Sequence, residues 1–342
     1  MRERFQPRIA RWPVSPRRLG AAAWVAASVV VALSAAGYLP TRPRNAGPVA
    51  VRAVPPDIGR RAAEAEAALR HGQDTIRTAK ARAGVMPGGD VGVDASGLLG
   101  EELTPLVTTL GSLEAKRLST NPAWARVLTE QLAQEGIAPG DLVAASFSGS
   151  FPALNLALIA ACDAIGARLV AVSSVTSSTW GANQPGFTWP EMEARLVEAG
   201  VIRRATAAVT AGGEADIASE LEADARALVQ RTLQRAAVTL GVPVVAPSDF
   251  ADAVERRLAI YDAAAAGGRI ALYVNVGGAH ASLGRSPAVL KLRSGFSAGV
   301  PFDRSPDRGV TARFADRRVK LLMLLNVRDL ALRWGVPLEA RN

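Results

Sequence analysis

The sequence predicts an α/β protein: a mostly parallel sheet with helices on both faces, a Rossmann-like three-layer arrangement, preceded by one amino-terminal transmembrane helix. Three observations carry this. Short apolar runs such as 141–147 (DLVAASF) and 269–276 (RIALYVNV) alternate with longer amphipathic stretches, the pattern of strands buried on both faces and joined by crossover helices. Residues 19–39 (LGAAAWVAASVVVALSAAGYL) carry no charge over 21 positions. As a helix they would extend about 30 Å, the depth of a hydrocarbon core. The chain has 342 residues, 49% hydrophobic and 21% charged, which suits a large core and excludes a wholly disordered chain.

Residues 1–18 read as a basic cytoplasmic tail and 19–39 as the membrane helix, with Trp24 and Tyr38 towards its ends. Six Arg precede the helix; Arg42, Arg44, Arg52 and Arg60 follow it. That bias places the amino terminus in the cytoplasm and the body outside. Ser34-Ala35-Ala36 also offers small residues for a peptidase, so a cleaved signal peptide is the competing reading, and the body is exported in both. Residues 40–56 contain five Pro and read as an extended stalk, leaving 57–342 as one extracytoplasmic α/β domain.

Within the domain, 57–83 lacks Pro, is rich in Ala, Glu and Arg, and reads as a helix closed by Gly84 with His71 on its surface. Helices are expected at 104–116 and 122–135, the second with Asn121 as N-cap and Pro122 in its first turn. Strands are expected at 141–147, 168–175, 205–209, 242–246 and 269–276, with helices at 151–165, 190–199, 219–240 and 250–266 between them. The Pro/Gly/Arg-rich stretch 285–318 reads as loop, before a final strand at 319–325 and helix at 329–334.

Charge and composition exclude several function classes. The formal charge is +9, but residues 1–61 hold eleven Arg against Glu3 and Asp57, leaving the remainder neutral with 29 basic and 29 acidic residues. The basic excess therefore belongs to the segments flanking the membrane helix and not to nucleic-acid recognition. One cysteine, Cys162, in an apolar helical run, excludes an intramolecular disulfide and is read as a shielded structural thiol. With His71 and His280 the only histidines, no Cys/His metal cluster is expected, and no metal or cofactor. Neither a P-loop nor a dinucleotide fingerprint occurs, and an exported domain would lack ATP.

In such sheets ligands bind beyond the carboxyl ends of the strands. Three loops there have suitable chemistry. Ser146-Phe147-Ser148-Gly149-Ser150 joins a strand to a helix amino terminus, where hydroxyls and a glycine suit a carboxylate or phosphate. It resembles a nucleophile elbow centred on Ser148, with Ser146 and Ser150 where that motif carries glycine. Anion binding, catalysis by Ser148 and simple helix capping all remain open. The segment 173–183 (SSVTSSTWGAN) offers Ser173, Ser174 and Asn183 to polar ligands and Trp180 for stacking, although such residues also make ordinary turns. In 277–284 (GGAHASLG), Gly277 and Gly278 let backbone amides approach an anion, and His280 stands where a general base for Ser148 would be needed. Lys116 and Arg117 read as partners for an acidic ligand or as a solvated helix end. Glu214 and Asp216 form a small acidic loop suited to weak cation binding.

The stretches 92–125 (GVDASGLLGEELTPLVTTLGSLEAKRLSTNPAWA), 140–157 (GDLVAASFSGSFPALNLA), 173–192 (SSVTSSTWGANQPGFTWPEM) and 273–284 (YVNVGGAHASLG), with the pair Gly212-Gly213, resemble the poly-γ-glutamate system protein family. These are membrane-anchored bacterial proteins associated with the poly-γ-glutamate synthase. The resemblance runs from about residue 84 to the end, and His280 departs from the small or polar residue expected after the glycine pair. It implies a role in making, exporting or anchoring an anionic γ-linked glutamate polymer, alongside the synthase's ligase and its small membrane partner. By position it marks Lys116, Asn121, Ser148, Gly149, Ser150, Trp180, Asn183, Gly277 and Gly278. Three readings follow: an accessory protein binding the polymer or the synthase, a serine hydrolase or transferase cutting γ-glutamyl chains through Ser148, and a scaffold without turnover.

Overall fold

The computed structural model describes residues 56–86, 96–297 and 305–338. The expected tail, the transmembrane helix at 19–39 and nearly all of the stalk lie outside the described residues. No helix among those described is long and apolar enough to cross a membrane.

The first helix, α1 (Pro56–Ala83), buries Ile58, Ala62, Ala65, Leu69 and Ile76 at the three- and four-residue spacing of one helical stripe, while His71 is exposed. A short strand β1 (Val107–Thr109) and helices α2 (Leu113–Ser119) and α3 (Ala123–Gln134) precede β2 (Leu142–Phe147). The chain continues through α4 (Pro152–Ile165), β3 (Arg168–Ser174), β4 (Ser177–Ser178), a tight hairpin β5 (Asn183–Gln184) and β6 (Phe187–Thr188), then α5 (Trp189–Glu198) and β7 (Thr206–Thr210). A 3₁₀ turn (Glu214–Asp216), α6 (Ala223–Leu240), β8 (Val244–Val245), α7 (Phe250–Ala265) and β9 (Ile270–Val276) follow. The last elements are α8 (His280–Leu283), β10 (Gly295–Ser297), α9 (Val310–Asp316), β11 (Lys320–Leu324) and α10 (Val327–Trp334).

Seven strands form the main sheet in the order β10-β11-β9-β2-β3-β7-β8, all parallel except the edge strand β10. The sheet grows from β2 through β3, β7 and β8 on one side. It then resumes on the other side with β9, so the crevice between β2 and β9 is the topological switch point. Alternation along β2 sorts its side chains: Val143, Ala145 and Phe147 join one core, Leu142 and Ala144 the other. The first core is covered by α4, α5 and α10, with α1 and α3 packed against them; Trp189 meets Phe147 edge-on at 5.8 Å. A Cβ on Gly72 would come within 2.7 Å of Leu156 Cδ2, so glycine lets α1 lie close to α4 without moving that side chain. The second core is closed by α7 and α9, with Phe314 stacked on Tyr273 at 4.6 Å. Cys162 is fully buried in α4, and burial pushes its thiol pKa up, as expected for an inert structural cysteine.

Three expectations need correction. The helix expected at 104–116 is instead β1 followed by α2: Val107-Thr108-Thr109 is β-branched and pairs with β4, and Ser112 caps the new helix by accepting from Ala115 N–H at 3.3 Å. The loop expected over 285–318 contains β10 and α9, whose buried Val310 and Phe314 complete the second core. The helix expected from 219 begins at Ala223.

Candidate functional site

The three loops read from the sequence meet at the switch point. Ser148 N–H donates to Val276 O at 3.3 Å, and a Cβ on Gly277 would collide with Ser148 Oγ. Gly277 has φ +85°, so its conformation favours glycine, and any Cβ there would force the Ser148 hydroxyl to move. Gly149 N–H donates to Thr176 O at 3.3 Å and Gly149 O accepts from Ala182 N–H at 2.7 Å, which joins the first loop to the second. Ser150 Oγ accepts from Ser178 N–H at 3.1 Å.

This joining uses up much of the expected anion-binding capacity. The N–H groups of Ser148, Gly149 and Ser150 donate to Val276 O, Thr176 O and Ser148 Oγ respectively. Ser148 has no base: its hydroxyl accepts from Ser150 N–H at 3.2 Å, and no hydrogen bond joins it to His280. Its backbone also lacks the positive φ found at Trp180 and Asp216. His280 begins α8, its Nδ1 is buried without a partner, and burial lowers its pKa, partly opposed by Glu214. At the start of α4, the N–H groups of Phe151 and Ala153 have no acceptor among the described residues.

Lys116 lies under the joined loops. Its Nζ bonds Ser150 O and Ser178 Oγ, the latter at 2.7 Å, and sits 3.9 Å from the centroid of the Phe151 ring. The residue is 1% exposed, and no carboxylate among the described residues pairs with it. Burial alone holds its pKa well below the usual lysine range. Arg117, beside it in sequence, is exposed.

A second buried cation occupies the opposite face of the sheet. Arg257, from the apolar stripe of α7, makes a two-pronged ion pair with Asp216 at 2.7 and 2.8 Å, both side chains almost fully buried. Its remaining N–H groups reach Thr210 Oγ1 at 2.9 Å, Ser174 Oγ at 3.3 Å and Ser146 Oγ at 3.4 Å. Burial opposes the guanidinium charge, and Asp216 together with Tyr261 and Tyr273 more than offsets it. Ser146 also bonds the hydroxyls of Tyr261 and Tyr273, at 3.1 and 2.8 Å, whose pKa values burial raises. Asp216 is thus spent on Arg257, and Glu214 N–H binds the Glu220 carboxylate. The acidic loop expected to take a cation is an internal anchor, and no cluster of metal-ligating side chains occurs among the described residues.

The remaining residues singled out from the sequence hold the fold. Asn121 caps α3 from one position further out than expected, accepting from Ala123 N–H, and donates to Pro337 O. Asn183 binds the backbone of Glu101 with both ends of its amide, at 3.0 and 2.6 Å. Ser173 bonds Thr206 Oγ1 at 2.6 Å, which in turn donates to the buried Glu193 carboxylate, whose pKa burial raises. Ser174 belongs to the Arg257 network. Trp180, half-buried at φ +64°, is fixed through its backbone to Glu101 and Gly100. Gly278 stands at the open side of the third loop, where an added Cβ would meet only Leu283 Cδ1 at 4.0 Å.

Two residues of the site were missed. Ser178 lies within 173–183 but carries no local mark, because its place is set by pairing with β1 some seventy residues earlier. Arg257 had a legible signal, a charge on the apolar stripe formed by Phe250, Val254, Leu258 and Tyr261.

No family model, curated protein or solved structure matches the chain.

Proposed function

We propose that the protein is a membrane-anchored accessory of poly-γ-glutamate synthesis, export or anchoring, which takes the γ-linked polymer, or the synthase that carries it, at the crevice between β2 and β9. One observation supports this above others: the serine and glycine loops on which the family resemblance rests converge at the switch point, the ligand position of open parallel sheets. Two unspent N–H groups at the start of α4 add a preference for negative oxygen, and the polymer is a chain of carboxylates.

Binding of γ-glutamate oligomers to the full-length protein, followed by calorimetry, tests the reading. Gly278→Val adds bulk at the open side of the crevice, where the first added carbon meets only Leu283 Cδ1 at 4.0 Å. It weakens binding about tenfold or more while leaving thermal stability unchanged, a loss of roughly 1.4 kcal/mol. Equal binding by wild type and variant, or full polymer production by cells lacking the protein, would remove the proposal.

A further inference from the structure

We propose that Lys116 and Ser178 form an acyl-transfer centre beside the start of α4, with Ser178 Oγ as nucleophile and Lys116 Nζ as its general base. The dyad stands independently of the polymer reading; only the identity of its acyl group, a γ-glutamyl, rests on it.

The geometry sets this pair apart from every other hydroxyl of the crevice. Ser178 Oγ has one hydrogen-bond partner among the described residues, Lys116 Nζ at 2.7 Å. The hydroxyls of Ser146, Ser173 and Ser174 are held in internal networks, and that of Ser148 has no base. Lys116 is buried with no carboxylate partner among the described residues, in contrast to Arg257. A buried amine without an anion favours its neutral form, which donates to Ser150 O and keeps a lone pair for the Ser178 proton. Both members also touch Ser150, the residue just before Phe151, and the N–H groups of Phe151 and Ala153 are free for a developing oxyanion.

The step balances without a further reagent. Ser178 Oγ attacks the carbonyl carbon of an amide or ester while Lys116 Nζ takes the hydroxyl proton and becomes an ammonium. The carbonyl electron pair moves to oxygen, held by the start of α4. As the oxyanion collapses the bond to the leaving amine or alcohol breaks, and Lys116 supplies its proton. The acyl group now rests on Ser178 as an ester. Water or an acceptor amine attacks this ester, Lys116 takes the attacking group's proton, and that proton returns to Ser178 Oγ as it leaves.

The test uses p-nitrophenyl acetate, an activated ester without glutamate, on the full-length protein, with p-nitrophenolate release followed by absorbance and the acetylated residue located by peptide mass mapping. The expected result is an acetyl group on Ser178. Release falls about a hundredfold in Ser178→Ala, which removes one hydroxyl and no backbone contact, and is retained in Ser219→Ala, an exposed serine outside the crevice loops. Release rises with pH to a plateau whose midpoint lies below the ordinary lysine range, and that midpoint disappears in Lys116→Arg. If Lys116→Arg does not fold, the Ser178→Ala and Ser219→Ala pair still decides. Acetylation only on lysines, equal release by Ser178→Ala, or no release at all overturns the dyad. Failure of this assay leaves γ-glutamate binding untouched, and failure of that binding leaves acetylation of Ser178 untouched, so the two proposals fall separately.

Discussion

Two cations are buried beneath the carboxyl ends of the same parallel strands, and they are treated in opposite ways. Arg257 has an anion, Asp216, and each of its three guanidinium nitrogens donates to a hydroxyl or carboxylate. Lys116 has a carbonyl, a hydroxyl and an aromatic face, and no anion among the described residues. Removing a charge from water costs several kcal/mol even after relaxation, so the first arrangement is self-contained and the second is incomplete unless the amine is neutral. The difference separates an internal anchor from a chemical group held ready.

The anchor has its own strain. Gly212, Gly213, Ala215, Asp216 and Ala218 all have positive φ in the turn that brings Asp216 to Arg257. Three of these are not glycine, and each such residue costs about 1 kcal/mol or more. The ion pair and its hydroxyl partners hold a backbone that the local sequence disfavours.

The largest effect should come from breaking the complete pair. Asp216→Ala leaves Arg257 buried and unpaired and should cost about 3–5 kcal/mol in denaturant unfolding. Arg257→Met with Asp216→Leu together should recover most of that loss. A loss below about 1 kcal/mol in the single variant would mean that the pair does not hold the turn. The equivalent change at the other cation should be mild: Lys116→Met is expected to be neutral or stabilising by about 1–4 kcal/mol near neutral pH. Its pH dependence has a definite sign. The folded-state pKa of Lys116 lies below its unfolded value of about 10.4. The unfolded chain therefore binds more protons, and wild-type stability rises with pH between the two values. The advantage of Lys116→Met should shrink over that window, and an advantage that stays constant up to pH 10.5 would contradict a depressed pKa. The smallest effect belongs to the strained turn, where Ala218→Gly should relieve backbone strain by about 1 kcal/mol, as seen in the denaturation midpoint.

The parallel sheet was legible because its strands are apolar on both faces and its helices are long and periodic, as β2, β9 and α4 illustrate. The loops of the site were legible for a related reason: glycine and serine between a strand and a helix mark the carboxyl edge of the sheet wherever they occur. What the sequence could not show was pairing across distance. Strand β1 was read as helix because its three residues acquire their partner, β4, only through the tertiary fold. For the same reason Ser178 went unnoticed while Lys116 was singled out, and Asp216 was read as an open cation ligand because Arg257 lies 41 residues further on. Local composition located the crevice; contacts remote in sequence decided which of its residues are spent on the fold.

Only four lysines occur in the chain, Lys80, Lys116, Lys291 and Lys320, so the protonation state of Lys116 can be read directly. Nitrogen-15 NMR of the side-chain amines in full-length protein, titrated from pH 6 to pH 11, tests the central claim most directly. One resonance, absent in Lys116→Arg, should lose its proton well below the ordinary lysine range and shift when Ser178 is replaced by alanine. A Lys116 resonance that titrates in the ordinary lysine range, or stays protonated throughout, would contradict the view that this amine is held neutral for chemistry.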